Sequence, residues 1–365
     1  MNPLVDLHDY GQSFWYDNIR RKLLQDGSLA RLISEDGLRG MTSNPSIFEK
    51  AIGGSDDYDE QMKELVAAGA DNTAIYEALA ITDIQNACDL FAELYVASDR
   101  GDGYVSLEVS PYLARDTEGT IAEARRLFTA VNRPNLMIKV PATPQGIPAI
   151  RQLIGDGINV NVTLMFSMDH YEAVANAYID GLRDLTAKGG DPRKVASVAS
   201  FFVSRVDSAV DAQLEKLDHE TALGLMGKTA VANSKVVYQR FKELFHGAAF
   251  ADLTAVGASV QRLLWASTST KNPAYSPTMY VDELIGPQTV STMPPNTVEE
   301  FCQSGTVAYT LESDVPAAQA VLDCLADLHI DLDQVTEKLQ DDGVDAFASS
   351  FTQLMETIAA KRGAL

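Results

Sequence analysis

The sequence predicts an α/β protein, a closed (β/α)8 TIM barrel with additional helices, and three observations carry that reading. Eight short apolar or β-branched runs alternate with longer amphipathic segments, which is the signature of strands alternating with helices. No early strand ends in the glycine fingerprint of an open dinucleotide-binding sheet, so a closed barrel fits better than a doubly wound one. The 365 residues exceed the roughly 250 of a typical barrel by enough for about four extra helices or for two modest domains.

The elements follow in order. Candidate strands are Phe14 to Tyr16 and Leu38 to Met41, and a long helical stretch then runs from about Ser55 to Ser98. Tyr104 to Val109, Leu136 to Val140 and Ile158 to Met165 read as the next three strands. Val195 to Val203 and Ser259 to Ala266 follow, each preceded by a segment of helical spacing such as Tyr171 to Leu185 or Val231 to Phe245. Thr289 to Met293 is the eighth. The tail from Thr297 to Ala364 is strand-poor and amphipathic and predicts helices packed outside the barrel or over one rim. No repeat, low-complexity tract or convincing linker is visible, so residues 1–365 read as one domain: a core of about 12–295 and a helical C-terminal extension, 296–365.

Composition narrows the function classes. With 46% hydrophobic and 22% charged residues the chain reads as globular. Its 29 basic residues against 51 acidic ones give a net charge of −22, which argues against nucleic acid or an anionic membrane as partner. An anionic small substrate remains compatible, because a few cations can be focused in one cleft. Three cysteines, Cys88, Cys302 and Cys324, form no CxxC pair and no disulfide framework, which suits a reducing compartment. The first residues lack a basic region followed by an apolar one, no run approaches the ~18 apolar residues of a membrane helix, and a cytoplasmic location is expected.

The chemistry is read from where polar residues fall. Lys139 is embedded in the apolar run Leu136 to Val140. Burial disfavours its charged form, and a neutral amine is the nucleophile that Schiff-base formation needs; a lysine reaching out from a strand end is the plainer alternative. Glu108, in Ser106 to Ser110, repeats the pattern with a carboxylate, either an acid/base partner or half of a structural ion pair. Asn159, Asn161 and Thr163 alternate with apolar residues and so share one strand face, whose polar groups a polyhydroxylated substrate would satisfy. Thr42-Ser43-Asn44-Pro45 and Asp17 end strands and fit either a site or a helix cap. Arg205 and Lys271, each near hydroxyl residues after late strands, suit a phosphate or are solvated loop charges.

Other patterns carry no chemistry. Gly227-Lys228-Thr229 resembles the end of a phosphate loop, but Ala222 stands where that loop needs glycine, and no strand precedes it. The five histidines are scattered with no HxxxH pair, so no metal site is expected.

Taken together, Thr42-Ser-Asn44-Pro-Ser-Ile, Ser106-Leu-Glu108-Val, Ile138-Lys139-Val-Pro-Ala-Thr143-Pro-Gln-Gly146-Ile, Asn161-Val-Thr163-Leu-Met-Phe-Ser167 and Ser200-Phe-Phe-Val-Ser-Arg205 resemble the transaldolases. These are the Schiff-base sugar-phosphate transferases of the pentose phosphate pathway, and the likeness is to their longer-chain bacterial branch. It spans about Asp17 to Pro294.

The resemblance implies that Lys139 is the covalent nucleophile, that Glu108 shuttles protons through a water, and that Asp17 takes the hydroxyl proton as the carbon–carbon bond breaks. It makes Asn44, Asn161, Thr163 and Ser200 partners of the three-carbon fragment's hydroxyls, with Thr163 also placing the catalytic water. Arg205 would bind phosphate. Where many relatives have Ser-x-Arg, this chain has Ser267-Thr-Ser269-Thr-Lys271, so Lys271 would supply a point charge in place of a fork. The expected reaction moves a dihydroxyacetone unit from sedoheptulose 7-phosphate to glyceraldehyde 3-phosphate, giving erythrose 4-phosphate and fructose 6-phosphate, with no cofactor. Monomer and homodimer both remain open. The nearest alternative is fructose-6-phosphate aldolase, a lyase on the same fold, whose members usually carry glutamine in place of Glu108 and tyrosine in place of Phe202. A non-catalytic phosphosugar-binding barrel is the other.

Overall fold

The computed structural model describes residues 2–217 and 219–365. Eight parallel strands close into a barrel in chain order: β1 (Gln12–Asp17), β2 (Leu38–Thr42), β3 (Tyr104–Glu108), β4 (Leu136–Pro141), β5 (Val160–Met165), β6 (Ser197–Phe202), β7 (Arg262–Ala266) and β8 (Thr289–Met293). All eight apolar runs of the sequence are strands, and β8 pairs with β1 to complete the ring. The first, fifth, sixth and seventh have the most shifted ends: β1 runs from Gln12 to Asp17, whereas β5, β6 and β7 are shorter than the apolar runs that mark them.

Closure depends on small residues where large ones point inward. A Cβ at Gly40 on β2 would lie 2.5 Å from the Trp15 indole of β1, so only glycine admits the Trp15 ring there. The amino-terminal mouth of the barrel is closed by charge. Asp102 accepts from Arg39 Nε at 2.7 Å and from Arg262 Nη2 at 2.9 Å, and Arg262 also donates to Ser13. Burial alone would raise the Asp102 pKa, but the two guanidiniums outweigh it and hold the carboxyl below its usual range.

The stretch from Ser55 to Ser98 forms three helices, Asp59–Ala67, Asn72–Leu90 and Ala92–Ala97, where the sequence suggested one long element. The break before Asn72 is set by a turn through Gly69 at φ +80° and by Asp71, which accepts from Ala74 N as a helix cap. The C-terminal tail takes both arrangements expected of it. Val315–Asp327 packs outside against the helix Thr229–Phe245, whereas the long helix Leu332–Ala364 crosses the carboxyl rim. That last helix buries Val344, Phe347, Phe351, Leu354 and Ile358, spaced alternately by three and four, so one continuous face meets the barrel. Gln340 on it donates to the carbonyls of Ala142 and Leu164, both at 3.0 Å. Among the described residues no helix is long and apolar enough to cross a membrane.

Candidate active site

A cleft of about 640 Å³ opens at the carboxyl ends of the strands, where barrel proteins of this type gather loop and strand-end side chains. Five cations line it, Arg20, Lys50, Lys139, Arg205 and Lys271, against a single carboxylate, Asp17. On a molecule of net charge −22 this is a local reversal of sign, and it selects an anionic ligand.

Lys139 rises from β4 at the cleft floor with its side chain only 7% exposed, so it does not reach out to solvent. Its Nζ donates to the Ser43 carbonyl at 3.3 Å and lies 3.5 Å from Glu108 Oε2. The pairing of β3 with β4 sets Glu108 directly beside Lys139, so the ion pair follows from barrel register. Burial raises the Glu108 pKa to about 7 in spite of the opposing charge on Lys139, and Asp17 adds a smaller upward push. A carboxyl balanced near neutrality can both give and take a proton. Glu108 Oε2 and Thr163 Oγ1 are buried without a hydrogen bond to protein.

Thr163 owes its placement to an irregular end of β5. Leu164 sits at φ +59°, a left-handed conformation unusual for a bulky residue, and the β5–β6 register shifts between Val162 and Met165. The turned Leu164 carbonyl is one of the two held by Gln340. Asp17, at the end of β1, accepts from Thr42 Oγ1 at 2.7 Å, and Thr42 Oγ1 also lies 3.0 Å from Thr292 Oγ1. Asp17 caps no helix: the following one, Arg21–Gln25, starts at Arg20 without a side-chain cap. Asn44 is a cap as well as a cleft residue, its Oδ1 accepting from Ile47 N at 3.0 Å while the residue lines the cavity.

The face shared by Asn159, Asn161 and Thr163 divides by depth. Asn161 is fully buried below the cleft, donating to Ser106 Oγ at 3.0 Å and accepting from Ser200 Oγ at 2.7 Å, so it fixes Ser200, which lines the cleft. Asn159 precedes β5 and ties the carbonyls of Pro134 and Leu136 at the far end. At another part of the cleft wall, the Arg205 guanidinium lies over the Phe202 ring at 5.1 Å, and burial draws its pKa down. Lys271 donates to Ser269 Oγ at 2.6 Å; burial, then Arg205 and Lys50, lowers its pKa. Two cations each depressed by burial or by one another are stabilised by an anion between them.

Sequence reasoning passed over Lys50, Arg20 and Phe347. Lys50 lies in the last turn of the helix Pro45–Gly53, where a solvated lysine is ordinary. Phe347 belongs to the apolar seam of the C-terminal helix and reads as core, yet its ring centroid is 5.5 Å from Lys139 Nζ. Neither has a local signal; 208 residues separate Phe347 from Lys139. Among the described residues no group of three His, Cys, Asp or Glu side chains is placed to hold a metal ion.

A family model described as transaldolase/fructose-6-phosphate aldolase matches residues 14–358. The chain belongs to the transaldolase/fructose-6-phosphate aldolase family. Relatives named transaldolase lie close to it over nearly their whole lengths. That of Thiobacillus denitrificans is 49% identical across 98% of this chain and 100% of its own. That of Trichodesmium erythraeum is 46% identical across 99% and 97%, and that of Mycolicibacterium smegmatis 47% across 97% and 96%. Within this transaldolase family setting, the buried Lys139, its Glu108 neighbour and the cationic cleft stand at the carboxyl mouth of one barrel.

Proposed function

We propose that this protein is a transferase, a transaldolase of the pentose phosphate pathway, acting on sugar phosphates through a Schiff base on Lys139. Sedoheptulose 7-phosphate gives up a dihydroxyacetone unit, which passes to glyceraldehyde 3-phosphate; the products are erythrose 4-phosphate and fructose 6-phosphate. The observation that carries this reading is the buried Lys139–Glu108 pair at the floor of a cleft with five cations and one carboxylate.

In the first step Lys139 passes a proton to Glu108 and attacks the ketose carbonyl. Glu108, through a water held with Thr163, returns the proton to the carbinolamine hydroxyl, which leaves as water while the nitrogen lone pair forms the iminium. The iminium is the electron sink for carbon–carbon cleavage, and Asp17 accepts the proton of the adjacent hydroxyl as the aldose departs. Asn44 and Ser200 hold the hydroxyls of the remaining enamine, with Asn161 acting on them through Ser200. Held at several points, the fragment waits for a second aldehyde. Arg205 and Lys271 take the phosphate, Arg205 with its fork and Lys271 as a point charge.

The fragment's retention separates transaldolase from the lyase of the same family, and Glu108 with Phe202 favours the transferase. The rim-crossing C-terminal helix supports reading residues 1–365 as one domain, and the three unpaired cysteines support a cytoplasmic setting.

The test is reduction with borohydride in the presence of fructose 6-phosphate, followed by peptide mass spectrometry. A three-carbon adduct on Lys139, discharged by an added aldose phosphate, is the expected result. Release of free dihydroxyacetone as fast as transfer would instead assign the lyase.

A further inference from the structure

Glu108 and Lys139 face two different cavities. Lys139 lines the main cleft, whereas Glu108 lines a separate side pocket of about 270 Å³ between the helices Asn72–Leu90, Thr117–Val131 and Leu332–Ala364. Tyr76, Ala80, Leu127, Phe351 and Met355 wall that pocket, with Tyr76 and Tyr112 each set edge-on to Phe351 at 5.3 and 5.5 Å. Its outer end is marked by Glu77, Glu123 and Arg126, and by the exposed ring of Tyr112. The ion pair, 3.5 Å long, is therefore the partition between the two spaces.

Two features set the carboxyl beside the pocket without a full set of partners. The Glu108 side chain is 6% exposed, and its Oε2, 3.5 Å from Lys139 Nζ, is buried without a hydrogen bond among the described residues, though a buried carboxylate ordinarily accepts several. Tyr76 has its pKa pushed up by burial first and then by the charge of Glu108, which places the phenol in the field of that carboxylate. A space of this size has room for a chain of waters, each needing only about 10–15 Å³ by a comparable measure, and the carboxylate supplies polar anchorage at its inner end.

We propose that the side pocket is the water port of the reaction. This rests on the Schiff-base reading above. Dehydration of the carbinolamine breaks a carbon–oxygen bond: Glu108 gives its proton to the hydroxyl, one water leaves, and the carboxylate and iminium remain as a charge pair. Completion of the cycle takes one water back by the reverse of that step. At both moments a sugar phosphate fills the main cleft, held at its outer end by the cations, so the water's short route lies behind Glu108. The port also accounts for a catalytic carboxyl being set between two cavities instead of being packed against apolar side chains.

The experiment uses the full-length enzyme with fructose 6-phosphate and no acceptor, in ¹⁸O-enriched water. Each cycle of imine formation and hydrolysis exchanges the ketose carbonyl oxygen with solvent, and spontaneous exchange is subtracted. Ala80→Phe fills the pocket from inside, and Met355→Trp, at a half-buried position, narrows it from the C-terminal helix. Both are expected to slow oxygen exchange about tenfold or more. Single-turnover consumption of aldose acceptor by the preformed three-carbon enamine should stay within about twofold, since that step moves no water. Native exchange rates in a folded variant with the pocket filled would overturn the port. Should Ala80→Phe fail to fold, Met355→Trp decides by the same criterion. Absence of any borohydride-trapped adduct on Lys139 in the unaltered enzyme would instead overturn the Schiff-base reading itself.

Discussion

Glu108 and Lys139 occupy paired positions on β3 and β4, and Glu108 Oε2 lies 3.5 Å from Lys139 Nζ, with both side chains largely buried. That separation exceeds the roughly 2.8 Å of a tight charge-assisted hydrogen bond, so the two groups are neighbours without being locked together. A pair held this loosely, with the carboxyl raised to about 7 by burial, can pass a proton in either direction.

Glu108→Gln keeps the shape and removes the proton. Imine formation in single-turnover kinetics should fall by about 10²–10⁴-fold with little change in KM for the sugar phosphate. The same substitution should alter the pH dependence of stability. The Glu108 pKa is higher in the folded than in the unfolded chain, so its contribution is full at low pH and is lost as pH rises through about 7. Thermal melts between pH 5 and 8 should show that decline in the native protein, and Glu108→Gln should lack Glu108's share of it.

Lys139→Ala should abolish borohydride trapping and reduce transfer by at least about 10³-fold. Lys139→Arg, which retains a cation without a usable nucleophile, should be equally inactive, and mass spectrometry of the reduced protein checks both.

Arg205→Ala should raise KM for phosphorylated acceptors about 10–100-fold and leave unphosphorylated aldehydes nearly unaffected. Equal losses for both would remove Arg205 from the phosphate end of the cleft.

Asp83 is buried between Arg21, at 2.9 Å, and the Tyr58 hydroxyl, at 2.8 Å, and so ties the chain just after Asp17 to the helix Asn72–Leu90. Asp83→Ala leaves the Arg21 guanidinium buried and unpaired. A loss of about 3–5 kcal/mol is expected in urea unfolding.

Gln340→Leu would leave the Ala142 and Leu164 carbonyls without their donor, at a cost of about 1–3 kcal/mol. Because Leu164 follows Thr163, kcat should fall as well, and limited proteolysis should cut the C-terminal helix sooner than in the native protein.

Much of this architecture was legible because a barrel strand is short, apolar and local. Each of the eight runs announces itself within about six residues, and a lone Lys139 or Glu108 stands out against such a background. The division of the 55–98 stretch into three helices was missed because Gly69 and Asp71 act through backbone conformation and capping, which hydrophobic spacing does not register. The polar alternation of Asn159, Asn161 and Thr163 correctly marked one face, but not which of them the cleft reaches: Asn161 is consumed by Ser106 and Ser200, and Asn159 by backbone at the opposite end.

By itself, then, the sequence determined the barrel through its strand periodicity and the family through its motifs, and it singled out Lys139 as the candidate nucleophile, because a charged residue in an apolar strand is a property of contiguous residues. Only the tertiary structure set Glu108 Oε2 at 3.5 Å from Lys139 Nζ, and only it decided that Lys50 and Arg20 join Arg205 and Lys271 around one cleft and that Phe347 and Gln340 reach back over the rim. Those relations depend on barrel closure and on the path of a helix some 200 residues away in the chain, and no local pattern encodes where two distant segments meet.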